Sequence, residues 1–209
     1  SLVDASTDRC DLTIATIFVN PTQFGPGEDF ELYPRTLQRD LELLAPRGVD
    51  LVFVPSVDEV YPPGAATEVQ VAGVTERFEG ALRPGHFTGV ATVVLKLLNM
   101  AGPDAAFFGQ KDYQQSLLVR KLVADLNVPV EIVVCPTVRE SDGLALSSRN
   151  AYLTEDQRAR AVALSRSLAT GVRLVAGGER DTAVVLEQMR AVLDRDAAFP
   201  VDYLAIVDP

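Results

Sequence analysis

Ala105-Ala106-Phe107-Phe108-Gly109-Gln110-Lys111-Asp112-Tyr113-Gln114-Gln115 reads as an apolar strand, a glycine turn and the opening of a helix. That succession offers unpaired backbone N–H groups to an anion at the helix N-terminus. Lys111 falls in the first turn of a helix expected from Lys111 to Leu126. The helix dipole disfavours a cation there by about 0.3–1 kcal/mol. A lysine set against the dipole makes best sense with a negative group, such as a phosphate, between them. A second segment, Leu146-Ser147-Ser148-Arg149-Asn150, puts two hydroxyl donors and an arginine fork into one loop, a good set for phosphate oxygens. Together the two segments read as a nucleotide triphosphate site.

Around this core the pattern alternates. Leu12 to Val19 is nearly continuous in apolar character, as a strand buried on both faces should be. Leu37, Leu41 and Leu44 recur at helical spacing, and Gly48 is the expected stop. Val49–Val54 reads as a second strand, Glu68–Val71 as a short extra one, and His86–Met100 as a helix leading into a strand at Asp104–Phe108. Another strand is expected at Val130–Cys135. The alternation predicts an α/β fold with a mostly parallel, doubly wound sheet. After Pro136 the character changes. Glu140-Ser141-Asp142-Gly143 reads as a turn, and Thr154 opens a helix with Gln157 as its capping-box partner. Asp181–Asp194 is a further expected helix and Val201–Val207 an expected strand. A boundary is placed near Val138, giving domains 1–137 and 138–209.

With 209 residues and 47% hydrophobic content, the chain can bury the core of one domain, or of one domain and part of another. A net charge of −10 argues against a nucleic-acid surface, which needs clustered Lys and Arg. Cys10 and Cys135 fit no ligand or redox spacing and read as reduced thiols suited to a reducing cytosol. The apolar stretch Val90–Ala101 is broken by Lys96 and Asn99 and is too short to span a bilayer. The chain contains no G-x-x-x-x-G-K-[ST], G-x-G-x-x-G, H-E-x-x-H or paired C-x-x-C. P-loop kinase, dinucleotide oxidoreductase and zinc enzyme are thereby set aside.

Ligands of open α/β sheets sit beyond the C-terminal ends of the strands, and the polar residues cluster in those places. Asn20, Thr22 and Gln23 follow the first strand, Gly109 to Asp112 follow Phe108, and Val138 and Arg139 follow Cys135. Each has a plain alternative. Asn20-Pro21-Thr22-Gln23 is equally an ordinary turn, or Gln23 offers its amide to a polar substrate. Arg83-Pro84-Gly85-His86-Phe87 holds the only histidine, which is either a helix-start residue or part of a loop closing on an anion. Lys111 could be a solvated helix lysine, and Ser147 and Ser148 turn residues.

Four segments in order carry a family resemblance: Ile17 to Phe24, Arg83 to Val90, Phe107 to Gln115, and Ser147 to Asn150. With them the chain resembles the pantothenate synthetases, the pantoate–β-alanine ligases, from about Thr13 to Leu153. The resemblance implies a Rossmann-like nucleotidyltransferase domain, 1–137, and a smaller α+β C-terminal lid domain, 138–209. It implies an ATP- and Mg2+-dependent, AMP-forming ligase that joins pantoate to β-alanine through pantoyl adenylate, in a cytoplasmic homodimer. By position, Gln23 and Gln115 would hold pantoate, with Asn20, Arg83 and His86 shaping that pocket. Gly109, Gln110, Lys111, Asp112, Val138, Leu146, Ser147, Ser148 and Arg149 would hold ATP, with Lys111, Ser147 and Arg149 meeting the phosphates as the catalytic set. Asp40 is the weak candidate for the metal, because Arg39-Asp40 stands where some members carry an acidic pair.

The family's H-x-G-H signature is absent, and Ser1-Leu2-Val3 resembles the residues that follow it. The expectation is therefore a chain without the first strand and catalytic histidine, inactive if taken literally, and with a shortened lid. Leu146 also replaces a methionine common in the family. Two other readings stand beside this one: an adenylyl- or cytidylyltransferase acting on another small acid or phosphate, and a nucleotide-binding protein without catalysis.

Overall fold

The computed structural model describes residues 1–197 and 199–208. The chain divides into two compact units, Ser1–Pro136 and Thr137–Pro209. The first opens with helix α1, Leu2–Thr7, whose Ser1 N-cap and Asp4 form a capping box. Strand β1, Ile14–Thr16, pairs in parallel with β2, Leu51–Phe53, in the register Ile14–Leu51, Ala15–Val52, Thr16–Phe53. Between them lies α2, Leu37–Leu44, continued by a short 3-10 turn at Ala45–Arg47. Gly48 ends that turn at a φ of 74°, a left-handed value that a side chain resists.

Short helices α3, Val57–Val60, and α4, Glu79–Leu82, precede α5, His86–Ala101. Strand β3, Ala105–Gly109, then pairs in parallel with β4, Glu131–Cys135, through α6, Tyr113–Asp125. The parallel pairing follows from the strand–helix–strand succession, since a parallel return needs a crossover. The main core lies between α5 and α6: Phe87, Val90, Ala91, Leu118, Val119 and Leu122 are buried there, with Phe108 and Ile132 packed against them.

The strands form two separate two-stranded ladders, β1–β2 and β3–β4. A cleft of about 1040 Å3 runs along β1 and β3 and is lined by Leu2, Ile14, Val94, Leu98 and Phe107 among others. Consequently β1 is not buried on both faces: its residues are half-buried or exposed, and Leu12 before it is 59% exposed. The strand expected at Glu68–Val71 is irregular chain. There the Val69 N–H donates to the Thr92 hydroxyl on α5 at 2.9 Å, so a helix side chain takes the place of a strand ladder.

In the second unit, α7 spans Glu155–Ala161, α8 Ala163–Ala176 and α9 Thr182–Asp196. Thr154 and Gln157 form the expected capping box. Leu144, Ala161 and Val162 make one core, joined by Leu153 and Phe199. On α9, Val185, Met189 and Leu193 are buried, and the Ser167 hydroxyl of α8 donates to the Met189 carbonyl at 2.9 Å. The strand expected at Val201–Val207 does not form. That segment has no ladder partner among the described residues, and Ile206 and Val207 are exposed.

Leu118 is 0% exposed at the centre of the α5–α6 core. Leu118→Ala is expected to cost about 2–5 kcal/mol, read as a lower urea midpoint at unchanged slope.

Candidate functional site

After β1 the chain turns through a 3-10 helix at Pro21–Gln23 capped by Asn20. Asn20 is 3% exposed, and its partners fix which way its amide faces. Its oxygen accepts from the Thr22 hydroxyl at 3.0 Å, the Tyr61 hydroxyl at 2.9 Å and the Thr22 N–H at 3.4 Å. Its nitrogen donates to the Gly89 carbonyl at 3.2 Å. A backbone N–H can only donate and a carbonyl can only accept, so no flip is open to Asn20. The same nitrogen donates to Gln23 Oε1 at 3.1 Å. Gln23 therefore holds its oxygen toward Asn20 and keeps Nε2–H as the donor it can offer to a ligand.

Helix α5 closes on this turn from the other side. His86 Nδ1 lies 2.8 Å from the Gln23 carbonyl. Arg83 Nε and Nη2 form a fork with the Glu28 carboxylate at 2.8 and 2.5 Å, while Nη1 donates to Glu79 at 2.7 Å and faces His86 Nε2 at 3.2 Å. The fork with Glu28 raises the Arg83 pKa beyond its already high value. The Arg83 guanidinium in turn holds the Glu28 carboxyl below its ordinary value, against a smaller opposing effect of burial. A cavity of about 560 Å3 adjoins the turn, lined by Thr22, Tyr61, Glu68, Gln70, Thr88 and Thr92 among others. Burial pushes the Tyr61 hydroxyl up, with its bonds to Thr22 and Asn20 opposing. Asn20, Gln23, Arg83 and His86 are thus brought together, with Asn20, Arg83 and His86 spending their polar atoms on protein partners.

The second element is the β3–α6 junction. A 3-10 turn at Gln110–Asp112 follows Gly109, so Lys111 stands just before α6 rather than in its first α-helical turn. No side chain caps α6, whose first residue Tyr113 follows directly on the 3-10 turn; a helix start without a side-chain cap is a place where an anion can meet backbone N–H groups. A Cβ at Gly109 would meet no atom within 4 Å, and its φ of −82° suits any residue. The protein's own packing does not require glycine there. Lys111 Nζ lies 3.2 Å from Asp112 Oδ1 in a pair whose side chains are 40% and 54% exposed. Such a pair is worth little in water and leaves the ammonium available. Gln115 lies on the first turns of α6, half-buried. Its neighbour Gln114 donates to the carbonyls of Val74 and Arg77 at 2.7 and 2.8 Å.

In the second unit, Arg139 bridges Ala145 and the Leu146 N–H donates to the Val138 carbonyl at 3.0 Å. This sets Val138 and Leu146 side by side, 45% and 49% exposed. Ser147 caps the following 3-10 helix, Ser148–Tyr152, by accepting from the Arg149 N–H at 3.3 Å. The loop thereby sets an exposed apolar pair directly before Ser147 in the chain. Asp40 lies in the first turn of α2, accepting from Thr36 at 3.3 Å. It lines the long cleft, and among the described residues no three His, Cys, Asp or Glu side chains gather to hold a metal ion.

The model of the pantoate-beta-alanine ligase family matches residues 1–209. The chain belongs to that family. Over 208 residues it is 56% identical to the pantothenate synthetase of Moorella thermoacetica, covering 100% of this chain and 74% of the relative. It is 54% identical to that of Chloroflexus aurantiacus, again over 100% of this chain and 74% of the relative. The fold matches the crystal structure of pantothenate synthetase from Thermus thermophilus with a TM-score of 0.96 at 51% identity, covering 99% of this chain and 75% of that one. It also matches pantoate-beta-alanine ligase from Francisella tularensis, solved with beta-gamma ATP and beta-alanine, with a TM-score of 0.78 at 36% identity over 91% of this chain and 71% of that one. The chain is therefore a mixed α/β member of a ligase family.

Glu28, Glu79 and Tyr61 belong to the turn's surroundings and escape a reading of the sequence. Glu28 lies 55 residues from Arg83, and no local spacing announces such a pair. Because the folded pKa of Glu28 is lowered, its contribution to stability is complete above the ordinary value of 4.5 and is lost as pH falls through the lowered one. Chemical denaturation measured from neutral pH to below about pH 4 is expected to show an acid-side loss in the wild type that Glu28→Gln reduces. Parallel curves for the two proteins would remove the pair from the account.

Proposed function

We propose that the chain carries the acid- and nucleotide-binding parts of an ATP-dependent ligase that condenses pantoate with β-alanine. A pantoate carboxylate oxygen attacks the α-phosphorus of ATP; a P–O bond forms, the bond to pyrophosphate breaks, and pantoyl adenylate results. The β-alanine amine then attacks the acyl carbon, the C–N amide bond forms, the acyl C–O bond of the adenylate breaks, and AMP leaves carrying that oxygen. The amine gives up its proton in that step.

The observation that carries this reading is the β3–α6 junction. It combines uncapped helix N–H groups, an exposed Lys111 and a glycine whose missing side chain faces open space. Oriented N–H donors and a cation there stabilise charge that grows on phosphate oxygens during in-line displacement. The Francisella relative bound to beta-gamma ATP and beta-alanine supports the same substrates here. Gly109, Gln110, Lys111 and Asp112 form the phosphate-binding turn. In the second unit, Val138 and Leu146 offer apolar contact to the base, while Ser147, Ser148 and Arg149 offer donors to phosphate. Gln23 and Gln115 hold pantoate, and the Gln23 Nε2–H suits a carboxylate or hydroxyl oxygen. Mg2+ is proposed to enter with the nucleotide, bound mainly by phosphate oxygens and water as it usually is, with no cage built around Asp40.

In protein carrying the family's H-x-G-H segment, Lys111→Ala is expected to slow pantoate-dependent exchange of labelled pyrophosphate into ATP by about a hundredfold or more. Its thermal midpoint should stay within a degree or two, roughly the size expected for an exposed side chain. Near-normal exchange in that variant would sink the assignment of Lys111.

A further inference from the structure

We infer that His86, held by Arg83, is a positioning residue that sets the Gln23 main chain and so aims the Gln23 amide at the acid substrate; this rests on the pantoate reading of Gln23. Both ring nitrogens of His86 have assigned partners. The Gln23 carbonyl can only accept, so the Nδ1 atom 2.8 Å away carries the hydrogen. The Arg83 guanidinium can only donate, so Nε2 at 3.2 Å receives its bond through a lone pair. The ring is therefore the Nδ1–H tautomer. Its side chain is 9% exposed, which keeps water from competing for either bond.

Arg83 is itself immobilised. Its fork on Glu28 and its bond to Glu79 use all three of its nitrogens, and Glu79 also lies 3.8 Å from His86 Nε2. The backbone of the turn is thus held through its Gln23 carbonyl by His86 at 2.8 Å, with a longer bond from Arg83 Nη2 at 3.5 Å beside it, while the side chain is held through its oxygen by Asn20. With both ends fixed, only the Nε2–H group of Gln23 remains for a ligand. His86 touches no reacting atom. Its influence on the reaction passes through Gln23.

Two measurements test this. The chain has one histidine, so a long-range 1H–15N spectrum of the uniformly labelled protein shows a single imidazole. It should report a protonated Nδ1 and an unprotonated Nε2; the reverse pattern or an exchange-averaged one overturns the assignment. Calorimetric titration with pantoate and with ATP then compares the wild type, His86→Phe, His86→Asn, Gln23→Ala and the Gln23→Ala/His86→Phe double variant. His86→Phe should weaken pantoate binding by about tenfold, the scale of one lost oriented hydrogen bond, with ATP affinity unchanged. His86→Asn, which keeps a donor and an acceptor, should recover much of the loss even if the Phe variant folds poorly. In the Gln23→Ala background the Phe substitution should add almost nothing. Unaltered pantoate affinity in both His86 variants, equal losses for both ligands, or additive losses in the double variant overturn the positioning role. A wild type that takes up no pantoate overturns the functional reading instead, and the spectrum then judges the tautomer alone.

Discussion

The turn after β1 lies against the first turn of α5 at backbone contact distance, and the polar site grows from that contact. A Cβ at Gly89 would fall 2.5 Å from the Thr22 carbonyl oxygen and 2.7 Å from the Gln23 nitrogen, closer than real atoms approach. Only the absence of a side chain brings the Gly89 carbonyl within reach of Asn20 and His86 within reach of the Gln23 carbonyl. Because the obstruction is backbone on both sides, no rotamer change could relieve it. The contact is rigid in consequence, and the orientations of Asn20, Gln23 and His86 follow from it by simple donor–acceptor logic.

Arg83 adds an electrostatic frame to this steric one. Its guanidinium is 23% exposed and meets two carboxylates, Glu28 and Glu79, that are 25% and 34% exposed. One acid already balances the guanidinium and the second leaves the cluster net negative, so Arg83 offers no excess positive charge to the turn, where the uncharged Gln23 amide is the donor left open. The geometry thereby distinguishes two duties for cationic residues in the first unit. Arg83 is spent on architecture, whereas Lys111, loosely paired with Asp112 in water, keeps its ammonium accessible.

How much of this was legible in the sequence depends on the range of the interaction. Helices α2, α5, α6 and α9 were readable because each carries its apolar face and its boundaries locally. The Thr154–Gln157 capping box was readable for the same reason. The β3–α6 junction was visible as an apolar run meeting glycine and a polar turn. The strands at Glu68–Val71 and Val201–Val207 were misread because apolar alternation states only that a segment suits a pleated surface. Whether a neighbouring strand is there to pair with is a tertiary fact. Within the site, Gln23 was legible as a polar residue beyond a strand, but the committed state of Asn20, Arg83 and His86 was not. Their partners Tyr61, Gly89 and Glu28 are separated from them by 41, 69 and 55 residues in the chain.

The contrast between the two halves of the first unit's site has a thermodynamic logic. A small polar acid offers few atoms, so its binding cannot support much ordering of the protein, and each ordered side chain costs about 0.5–1.5 kcal/mol on association. Donors for such a ligand work best when folding has already ordered them, as Gln23 is through Asn20 and His86. A nucleoside triphosphate brings several charged oxygens and a large ring. It can order flexible cations on arrival and still bind with useful affinity. The exposed Lys111 and the uncapped start of α6 fit that second regime. On the proposed assignment of the acid to Gln23 and the nucleotide to Lys111, preorganisation is thus concentrated where the ligand is smallest, and adaptability where the ligand carries the most charge.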